Sequence, residues 1–345
     1  MIVRSKAPLR IGLAGGGSDV SPYSDKYGGY VLNATIGMYA HCTIQKLDDK
    51  KVIFDAKDIG VYWEEKARPI YELDGDLILH KAIYNRVVKR FNRGEPLNIK
   101  VITFVDAPPG SGLGSSSTMV VAILSAYREL LNLPLGEYDL AHLAFEIERI
   151  DCGLAGGKQD QYAATFGGFN FIEFYESDKV IVNPLRIRRS IINELEAHLI
   201  LFFTGQSRDS ARIIEDQIEL VSADKDDALE AMHKVKDNAW RMKEALLKSN
   251  IVKMSDLLGE SWCSKKKTSS VVSNKFIEKI YESAIRAGAN SAKVSGAGGG
   301  GFMMFFVEPA KRIDVEKVLT SFSSGNGTFI YKINFTEKGV ESWKV

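Results

Sequence analysis

The segment Pro109-Gly110-Ser111-Gly112-Leu113-Gly114-Ser115-Ser116-Ser117 combines three glycines with four serines and leads directly into the apolar run 118–124. The run predicts a buried helix, so the glycine-rich segment would form the loop at its N-terminus. Unpaired N–H groups and the helix dipole make such a terminus a site for anions, and glycine lets the backbone approach a phosphate closely. Serine hydroxyls cap helices or bind Mg²⁺. The segment therefore predicts a phosphate-binding loop, and a nucleoside triphosphate is the simplest ligand that fits.

Two better-known glycine loops do not match this segment. A P-loop requires Gly-Lys followed by Ser or Thr, but no such pair follows Gly114, and Gly157-Lys158 is followed by Gln159. A dinucleotide loop has the spacing G-x-G-x-x-G, whereas the glycines here alternate at positions 110, 112 and 114. A turn that caps the helix without binding a ligand is the alternative interpretation.

Composition narrows the classes of partner. The 345 residues carry a formal net charge of +1, which gives no reason to expect nucleic acid or an anionic membrane as a partner. No apolar segment approaches membrane-spanning length, and residues 1–6 lack the long apolar run of a signal peptide. Cys42, Cys152 and Cys263 are widely spaced and odd in number, which favours a reducing cytoplasm over a disulfide framework. Small molecules are therefore the expected partners.

The order of predicted elements indicates two parts. The first part has strands over 2–14, 30–46 and 97–105, helices over 77–93, 115–131 and 138–150, and a hairpin over 168–174 and 178–182. A boundary is predicted near 185–195. The second part has strands over 197–204, 291–295, 302–307 and 327–335, helices over 274–287 and 310–322, and a helical region over 207–250. This order is typical of an α+β fold with an antiparallel sheet.

Three segments together resemble the GHMP kinases, the superfamily of galactokinase, homoserine kinase, mevalonate kinase and phosphomevalonate kinase. They are residues 6–19, the loop 109–117 and the glycine-rich run 293–302, and they have the family's order and spacing. The resemblance covers nearly the whole chain. It implies a domain like ribosomal protein S5 domain 2 over 1–190, which carries the ATP phosphate loop, and a ferredoxin-like domain over 191–345. The active site would lie in the cleft between them.

The resemblance implies that the whole of 109–117 contacts ATP and that Mg²⁺ accompanies the nucleotide. Mg²⁺ takes hard oxygen ligands and keeps several waters. Ser116 is the preferred hydroxyl ligand, with Ser117 as the alternative. Glu148 is the predicted carboxylate ligand because it precedes Asp160 by about the family's interval, whereas Glu146 lies on the opposite side of the predicted helix. A solvated helix carboxylate is the other interpretation of Glu148.

Asp160 matches the catalytic aspartate of the galactokinase-like members, in the segment Gly156-Gly157-Lys158-Gln159-Asp160. A carboxylate within reach of the acceptor hydroxyl orients it and accepts its proton. Arg10 matches the family's basic residue that keeps this carboxylate ionised, since a neighbouring cation favours the charged form. A helix N-cap is the alternative role for Asp160, because aspartate is common at that position.

The sugar is expected to bind around the end of the first motif. The carboxylate of Asp19 can accept hydrogen bonds from two adjacent sugar hydroxyls, although an aspartate in a turn is also satisfied by its own backbone. Ser18 is grouped with it. Galactokinases carry an acid and a histidine where Gly16 and Gly17 stand, and this departure argues against galactose and opens space.

Further substrate contacts are predicted at a greater sequence distance. Gly298 and Gly299 lie in a run with no side chains to pack, which favours close approach to a ligand, while a flexible turn is the alternative. The candidates for contact with a substrate phosphate are Arg4, Lys6, Lys158 and Arg208. Lys6 shares strand parity with Arg4 and Arg10, so the three can also form a solvated strand face.

Within the family, residues 14–23 look like the sugar-1-kinases, and are most similar to kinases of a heptose 7-phosphate, with L-fucokinases more distant. The implied activity is ATP-dependent phosphorylation of the anomeric hydroxyl of D-glycero-D-manno-heptose 7-phosphate. The 1,7-bisphosphate would be a precursor of activated heptose. A fucokinase- or galactokinase-like kinase of an unphosphorylated sugar is one alternative, and a non-catalytic sugar sensor on the same fold is another.

Overall fold

Two β-sheets organise the chain, which the computed structural model describes over residues 1–206, 210–222, 226–323 and 327–345. The first sheet contains β1 (Ile2–Ala14), β2 (Gly29–Lys46), β3 (Lys51–Ala56), β4 (Val61–Lys66), β5 (Ile99–Val105), β6 (Phe169–Phe174), β7 (Val180–Pro184) and β12 (Glu341–Lys344). The second sheet contains β8 (Leu199–Phe203), β9 (Ala289–Val294), β10 (Phe302–Val307) and β11 (Phe329–Tyr331).

Helices pack on both sheets. They are α1 (Tyr23–Tyr27), α2 (Ile78–Phe91), α3 (Ser115–Leu131), α4 (Glu137–Phe145), α5 (Gln159–Phe166), α6 (Arg189–His198), α7 (Ser210–Ser222), α8 (Asp226–Leu247), α9 (Ile251–Lys266), α10 (Lys275–Arg286) and α11 (Arg312–Thr320). A π-helical turn over Glu146–Asp151 continues α4, and a short 3₁₀ turn over Pro309–Lys311 precedes α11.

The 18-residue strand β2 determines the shape of the first sheet. One edge pairs with β1, while the other pairs with β6 over 29–34 and with β5 over 40–46. The resulting order is β12-β1-β2-β5-β3-β4, with β7 outside β6. The β3–β5 pair is parallel. The second sheet is antiparallel in the order β11-β8-β10-β9, as predicted for this part of the chain.

Helix α3 lies at the centre of the first core. Each of residues 117–127 is buried. They pack against Ile83 and Val87 of α2 and Leu140 of α4 on the inner face of the sheet. Because the helix is held on all sides, the loop that precedes it has a fixed position.

A second core joins the two sheets, so the loops between them are held from both sides. It contains Leu9 and Ile11 of β1, Leu201 of β8, Met304 of β10 and Leu257 of α9. A third core covers the opposite face of the second sheet with α10 and α11. At roughly 25 cal/mol per Å² of buried apolar surface, burial of this kind is the main stabilising contribution.

The predicted spans 2–14, 115–131 and 302–307 are confirmed without change as β1, α3 and β10. The predicted helix 138–150 divides into α4 and the π-helical turn. The elements without a counterpart among the predicted ones are strands β3, β4 and β12 and helices α1, α5, α6 and α9. The strands are short, and a strand of four to six residues depends on its pairing partner more than on its own pattern.

Strand β12 comes from the C-terminal end but belongs to the first sheet. Residues 3–6 of β1 pair with residues 341–344, and Ile36 forms a bridge with Phe335. The division into 1–190 and 191–345 stays a prediction, and the structure places the last strand of the second range beside β1.

Candidate active site

A cleft of about 500 Å³ lies where the three glycine-rich segments meet. Its wall includes Arg10 and Asp19 from the first segment, the loop around Gly112 and Gly114 from the second, and Gly296 from the third. The tertiary structure therefore brings together segments that are about 100 and 180 residues apart in the sequence.

The 110–117 loop requires glycine at two positions for steric reasons. Gly112 and Gly114 both have φ of 75°, a left-handed conformation that favours glycine. A Cβ at Gly112 would lie 2.7 Å from the Ser295 carbonyl oxygen, and a Cβ at Gly114 would lie 2.9 Å from Cγ of Asp160. Within the described residues, no side chain caps α3 at Gly114. Its N-terminal N–H groups are thus available to an anion.

Asp160 lies in the first turn of α5 and is held by Arg10. The Nε and Nη2 atoms of Arg10 both lie 2.6 Å from Oδ1 of Asp160, and Nη1 donates to the Gly112 carbonyl at 2.8 Å. Arg10 is buried, whereas Asp160 keeps part of its carboxylate open to the cleft. Lys158 occupies the N-cap of α5, so Asp160 does not have the alternative role of N-cap. One carboxylate oxygen is fixed, and Oδ2 faces the glycine loop.

Ser116 and Glu148 form a second polar group at the other end of the loop. Oγ of Ser116 donates to Oε1 of Glu148 at 2.8 Å, and Nε2 of Gln161 donates to Oε2 at 2.7 Å. Arg149 lies 3.4 Å from Oε1 of Glu148. Glu146 points elsewhere and pairs with Arg86 at 3.0 Å. The carboxylate of Glu148 is buried, so it is not the solvated helix carboxylate of the alternative interpretation.

The donor set at Ser116 and Glu148 fits Mg²⁺ in its chemistry. Both side chains offer hard oxygen atoms, and Mg²⁺ typically binds one or two carboxylates together with substrate phosphates and water. Among the described residues, no three His, Cys, Asp or Glu side chains cluster closely enough to hold a metal ion. A magnesium ion at this position would therefore depend on the phosphates for most of its coordination.

Asp19 is held by its own loop and by the start of α5. Its Oδ1 accepts from Gly17 N and from Gln159 Nε2, and its Oδ2 accepts from Gln159 N, each at 3.0 Å. A Cβ at Gly157 would lie 1.9 Å from Oδ2 of Asp19, so only glycine fits there. Gly16 and Gly17 line the cleft beside this carboxylate. The arrangement fixes an acid in the same cleft as the glycine loop.

Four residues predicted to contact the substrate lie outside the cleft lining. Ser18 is buried and donates to the carbonyls of Gly15 and Tyr30, so it stabilises the turn. The ammonium of Lys6 lies 3.3 Å from Glu341 of β12. Gly298 and Gly299 pack against Val272, whose carbonyl accepts from Gly299 N at 2.7 Å. These residues serve close packing, which a single sequence does not distinguish from ligand approach.

Other predicted residues are divided between the loop and its supports. Leu113 and Ser111 are buried, and their carbonyls accept hydrogen bonds from Arg10 N and Phe302 N, which ties the loop to β1 and β10. Pro109 lines a neighbouring pocket. Arg208 lies outside the described residues. Lys158 is buried against Asp25 and Asp178, at 3.2 and 2.6 Å.

Four side chains with a charge or an amide group line the cleft but are absent from the sequence-based predictions: Arg149, Gln159, Gln217 and Lys265. Gln159 immediately precedes Asp160. This position in the motif is the sequence signal that could have identified it as a cleft residue. Lys265 belongs to α9, which the sequence patterns do not predict. Burial lowers the pKa of the Lys265 ammonium to about 8, with Arg10 adding to the effect and Asp19 and Asp160 opposing it. Burial also lowers the pKa of Lys293 well below its usual value.

A second pocket of about 430 Å³ adjoins the cleft at Ser115 and Ser116. Its wall is largely apolar and includes Leu79, Val105 and Met119. His80 closes one side, and its Nε2 lies 2.9 Å from Oγ1 of Thr103. Such a pocket suits a flat, mostly apolar group joined to an anion bound at the loop.

Comparisons with known proteins place both parts of the chain in one family. Family models match residues 79–168 as the GHMP kinases N terminal domain and residues 242–325 as the GHMP kinases C terminal domain. The chain is 50% identical over 343 residues to D-glycero-alpha-D-manno-heptose 7-phosphate kinase of Campylobacter jejuni, with 99% of each chain covered. No described helix is both long and apolar enough to cross a lipid bilayer.

Solved structures of two sugar kinases are similar to this chain over nearly its whole length. The crystal structure of a D-glycero-D-manno-heptose 1-phosphate kinase from Bacteroides thetaiotaomicron superposes with a TM-score of 0.84 at 45% identity, over 99% of each chain. Galactokinase of Lactococcus lactis, complexed with galactose, superposes with a TM-score of 0.76 over 99% of this chain and 95% of its own. At 20% identity the latter shows the shared fold alone.

Proposed function

The chain belongs to the GHMP kinase family, and from this premise we propose that it is an ATP-dependent kinase of D-glycero-D-manno-heptose 7-phosphate. It transfers the γ-phosphoryl group to the anomeric hydroxyl and forms the 1,7-bisphosphate, a step in activated-heptose biosynthesis. The observation that carries this proposal is the Arg10–Asp160 pair at 2.6 Å, which lies in one cleft with the glycine loop and Asp19. Phosphoryl transfer needs a held phosphate and an aligned hydroxyl, and the cleft supplies a group for each.

The acceptor hydroxyl lies between Asp160 and the loop. Its oxygen forms a bond to the γ-phosphorus while the bond from that phosphorus to the β–γ bridging oxygen breaks and ADP leaves. The hydroxyl proton passes to the carboxylate of Asp160 and then to solvent. Arg10 orients the carboxylate, because both of its contacts with Asp160 fall on Oδ1. Asp19 accepts hydrogen bonds from other sugar hydroxyls.

ATP occupies the cleft and the second pocket together. The phosphates contact the N–H groups of the 110–117 loop, and the base fills the apolar pocket beside Leu79 and Met119. This placement is supported by the two pockets sharing Gly110, Ser115 and Ser116. Ser116 and Glu148 would hold Mg²⁺, which neutralises phosphate charge when it is bound.

The choice of heptose rests on the relatives. The two heptose kinases differ in name, one acting on a 7-phosphate and the other on a 1-phosphate. Transfer to carbon 1 of the first or carbon 7 of the second gives the same bisphosphate, so the acceptor distinguishes the two activities. The first is favoured because it has the higher identity, 50% against 45%. The three cysteines are unpaired, which is compatible with a reducing cytoplasm as the place of the reaction.

A substrate panel tests the proposal. The purified protein is assayed with ATP and Mg²⁺ by coupled detection of ADP, using the heptose 7-phosphate, the heptose 1-phosphate, free heptose, L-fucose and D-galactose. The 7-phosphate is expected to exceed free heptose by about 10²-fold or more in kcat/KM, since charge-assisted hydrogen bonds contribute roughly 1.5–3 kcal/mol each and ~1.4 kcal/mol is tenfold. NMR of the product identifies the phosphorylated carbon.

Other results of the substrate panel would contradict the proposal in different ways. Equal kcat/KM for the 7-phosphate and free heptose would exclude a phosphate subsite. A preference for fucose or galactose would assign the chain to an unphosphorylated sugar, and a preference for the 1-phosphate would move the reaction to carbon 7. No turnover with any sugar, together with sugar binding, would identify a sensor.

A further inference from the structure

Lys265 is a buried cation in the cleft. The roles proposed above for Arg10, Asp160, Asp19, Ser116 and Glu148 do not include it. It lies in the last turn of α9, is 5% exposed and lines the cleft. Its two neighbours in the run 265–267 differ from it. Lys266 pairs with Glu278 at 3.1 Å, and Lys267 is exposed. Only the first of three consecutive lysines is therefore directed inward.

The ammonium of Lys265 lies where three walls of the cleft meet. It donates a hydrogen bond to the Gly296 carbonyl, and Gly296 packs directly on Gly112 of the phosphate loop. On the other side, Nζ lies 4.0 Å from the position that a Cβ of Gly16 would take, and Gln159 Nε2 lies 3.4 Å from the same position. The absence of a side chain at Gly16 thus leaves this ammonium open to the acceptor side of the cleft.

The hydrogen bonding of this ammonium is incomplete in the described residues. A lysine ammonium has three donors, and the Gly296 carbonyl is the one acceptor that the described part of the chain supplies. A buried charge with so few partners is costly unless a ligand completes its contacts. The missing partners are therefore expected from oxygen atoms of a molecule in the cleft.

The oxygen atoms of the transferred phosphoryl group are suitable acceptors for Lys265, because they carry negative charge during the reaction. In the transition state, charge is spread over the three equatorial oxygens of the transferred group, and cations aimed at them supply much of the catalysis. Arg10 directs its three closest contacts to Asp160 and to the Gly112 carbonyl, which leaves little of its hydrogen-bonding capacity for phosphate. Lys265 lies beside the same loop and has donors to spare.

We propose that Lys265 is a catalytic cation that donates hydrogen bonds to the phosphoryl group as it moves from ATP to the sugar. This inference rests on the proposed kinase function. Lys265 donates to Gly296, which packs on Gly112 of the phosphate loop. This position favours contact with the transferred phosphoryl group. The sugar hydroxyls are left to Asp19 and Gln159.

The proposal has a consequence for the pH dependence. The charged groups that face Lys265 are Arg10 from β1, Asp19 from the loop after β1, Asp160 from α5 and Lys293 from β9. With its pKa lowered to about 8, mainly by burial, the free enzyme loses this charge above pH 8. Since kcat/KM reports the free enzyme, it is expected to fall above that pH in the wild type. An arginine at this position stays charged and removes the fall.

The test compares Lys265→Met and Lys265→Arg with Lys267→Met as a matched control from the same run. For each protein, kcat and KM for the sugar phosphate, ATP binding by calorimetry, and the melting temperature are measured. Lys265→Met is expected to lower kcat by about 10²-fold or more, as for loss of one group that stabilises transition-state charge. KM for the sugar and the affinity for ATP should change by less than threefold. Lys267→Met should behave as the wild type.

Melting temperature separates this role from a structural one. Removal of a poorly paired buried charge is expected to leave the melting temperature of Lys265→Met unchanged or higher, whereas removal of a structural lysine lowers it. Lys265→Arg is expected to retain more activity than Lys265→Met and to lack the fall in kcat/KM above pH 8.

Several results would overturn the proposed role of Lys265. A kcat for Lys265→Met within threefold of the wild type overturns it, and so does a loss confined to KM for the sugar. If Lys265→Met does not fold, the pH profiles decide, because a fall near pH 8 shared by the wild type and Lys265→Arg would assign that ionisation to another group. Wild-type protein without kinase turnover would refute the proposed function itself, whereas an active wild type with an equally active Lys265→Met refutes this inference alone.

Discussion

Replacement of Asp160 by asparagine tests whether this carboxylate accepts the proton of the acceptor hydroxyl. The substitution keeps the size of the side chain and removes its charge. Both contacts of Arg10 fall on Oδ1, at 2.6 Å each, and the amide oxygen of asparagine can occupy that position. The amide NH₂ group then replaces Oδ2 on the side of the glycine loop. The acceptor hydroxyl would meet a donor where the reaction needs an acceptor of its proton.

The expected loss in kcat follows from this change. A positioned acid–base group contributes about 10²–10⁴-fold, which corresponds to roughly 3–5 kcal/mol in the activation free energy. ATP affinity should change little, because the loop N–H groups are retained. The unfolding free energy should fall by at most about 1.5–3 kcal/mol, the usual contribution of a hydrogen bond to a charged group.

The matched control is Asp151→Asn. Asp151 also pairs with an arginine, away from the cleft lining, but it uses both carboxylate oxygens: Oδ2 lies 2.9 Å from Nε of Arg86 and Oδ1 lies 2.6 Å from Nη2. Both variants are assayed for ADP release at saturating substrates, and both are unfolded in urea. Asp151→Asn is expected to lose at least as much stability as Asp160→Asn, because its amide NH₂ group would face a donor of Arg86. A loss of kcat confined to Asp160→Asn supports the assignment. Turnover near the wild-type value in Asp160→Asn would show that the reasoning is wrong.

Three further predictions concern the metal, the nucleotide base and acid stability. Ser116→Ala and Glu148→Gln should raise the Mg²⁺ concentration at half-maximal rate while changing the binding of Mg²⁺-free nucleotide less; wild-type Mg²⁺ titrations in both would place the ligands elsewhere. Leu79→Asp should raise KM for ATP by at least about tenfold without changing KM for the sugar, because a carboxylate loses its hydration in an apolar pocket; an unchanged KM for ATP would remove the base from this pocket. Burial lowers the pKa of His80 to about 4, so the unfolded chain takes up this proton first as the pH falls. Between pH 6.5 and 4 the wild type should therefore lose roughly 3 kcal/mol more unfolding free energy than His80→Leu, measured by urea titration, and equal losses would contradict the assignment.

The glycine loop and the helix after it were predictable because their conformation is local. Glycines at 112 and 114 adopt left-handed backbone, and the following residues form α3 over the predicted span. The order of loop and helix is sufficient to predict unpaired N–H groups. Glu148 accepts a hydrogen bond from Ser116 in the cleft, whereas Glu146 pairs with Arg86. The role of Glu148 as a magnesium ligand stays a prediction.

The sequence could not distinguish glycine that approaches a ligand from glycine that packs on its own chain. Gly16 faces the cleft, whereas Gly298 meets Val272, and both are equally small. Likewise Lys6 and Arg10 share strand parity, but a register shift between Pro8 and Arg10 separates them. Lys6 pairs with Glu341 on β12, and the pairing of these distant residues depends on the assembled sheet.

The sequence by itself determined the features that depend on adjacent residues: the glycine loop, the helix that follows it, and the position of Asp160 just after Gly156 and Gly157. Backbone conformation and short-range hydrogen bonding decide such features, and both are encoded over a few positions. Tertiary structure alone decided which cations reach the cleft. Lys265 is one of three consecutive lysines, and it is directed inward because α9 packs its apolar side against the core between the two sheets. A charge becomes part of a site through burial and through neighbours far away in the chain, and these properties exist only after the chain has folded.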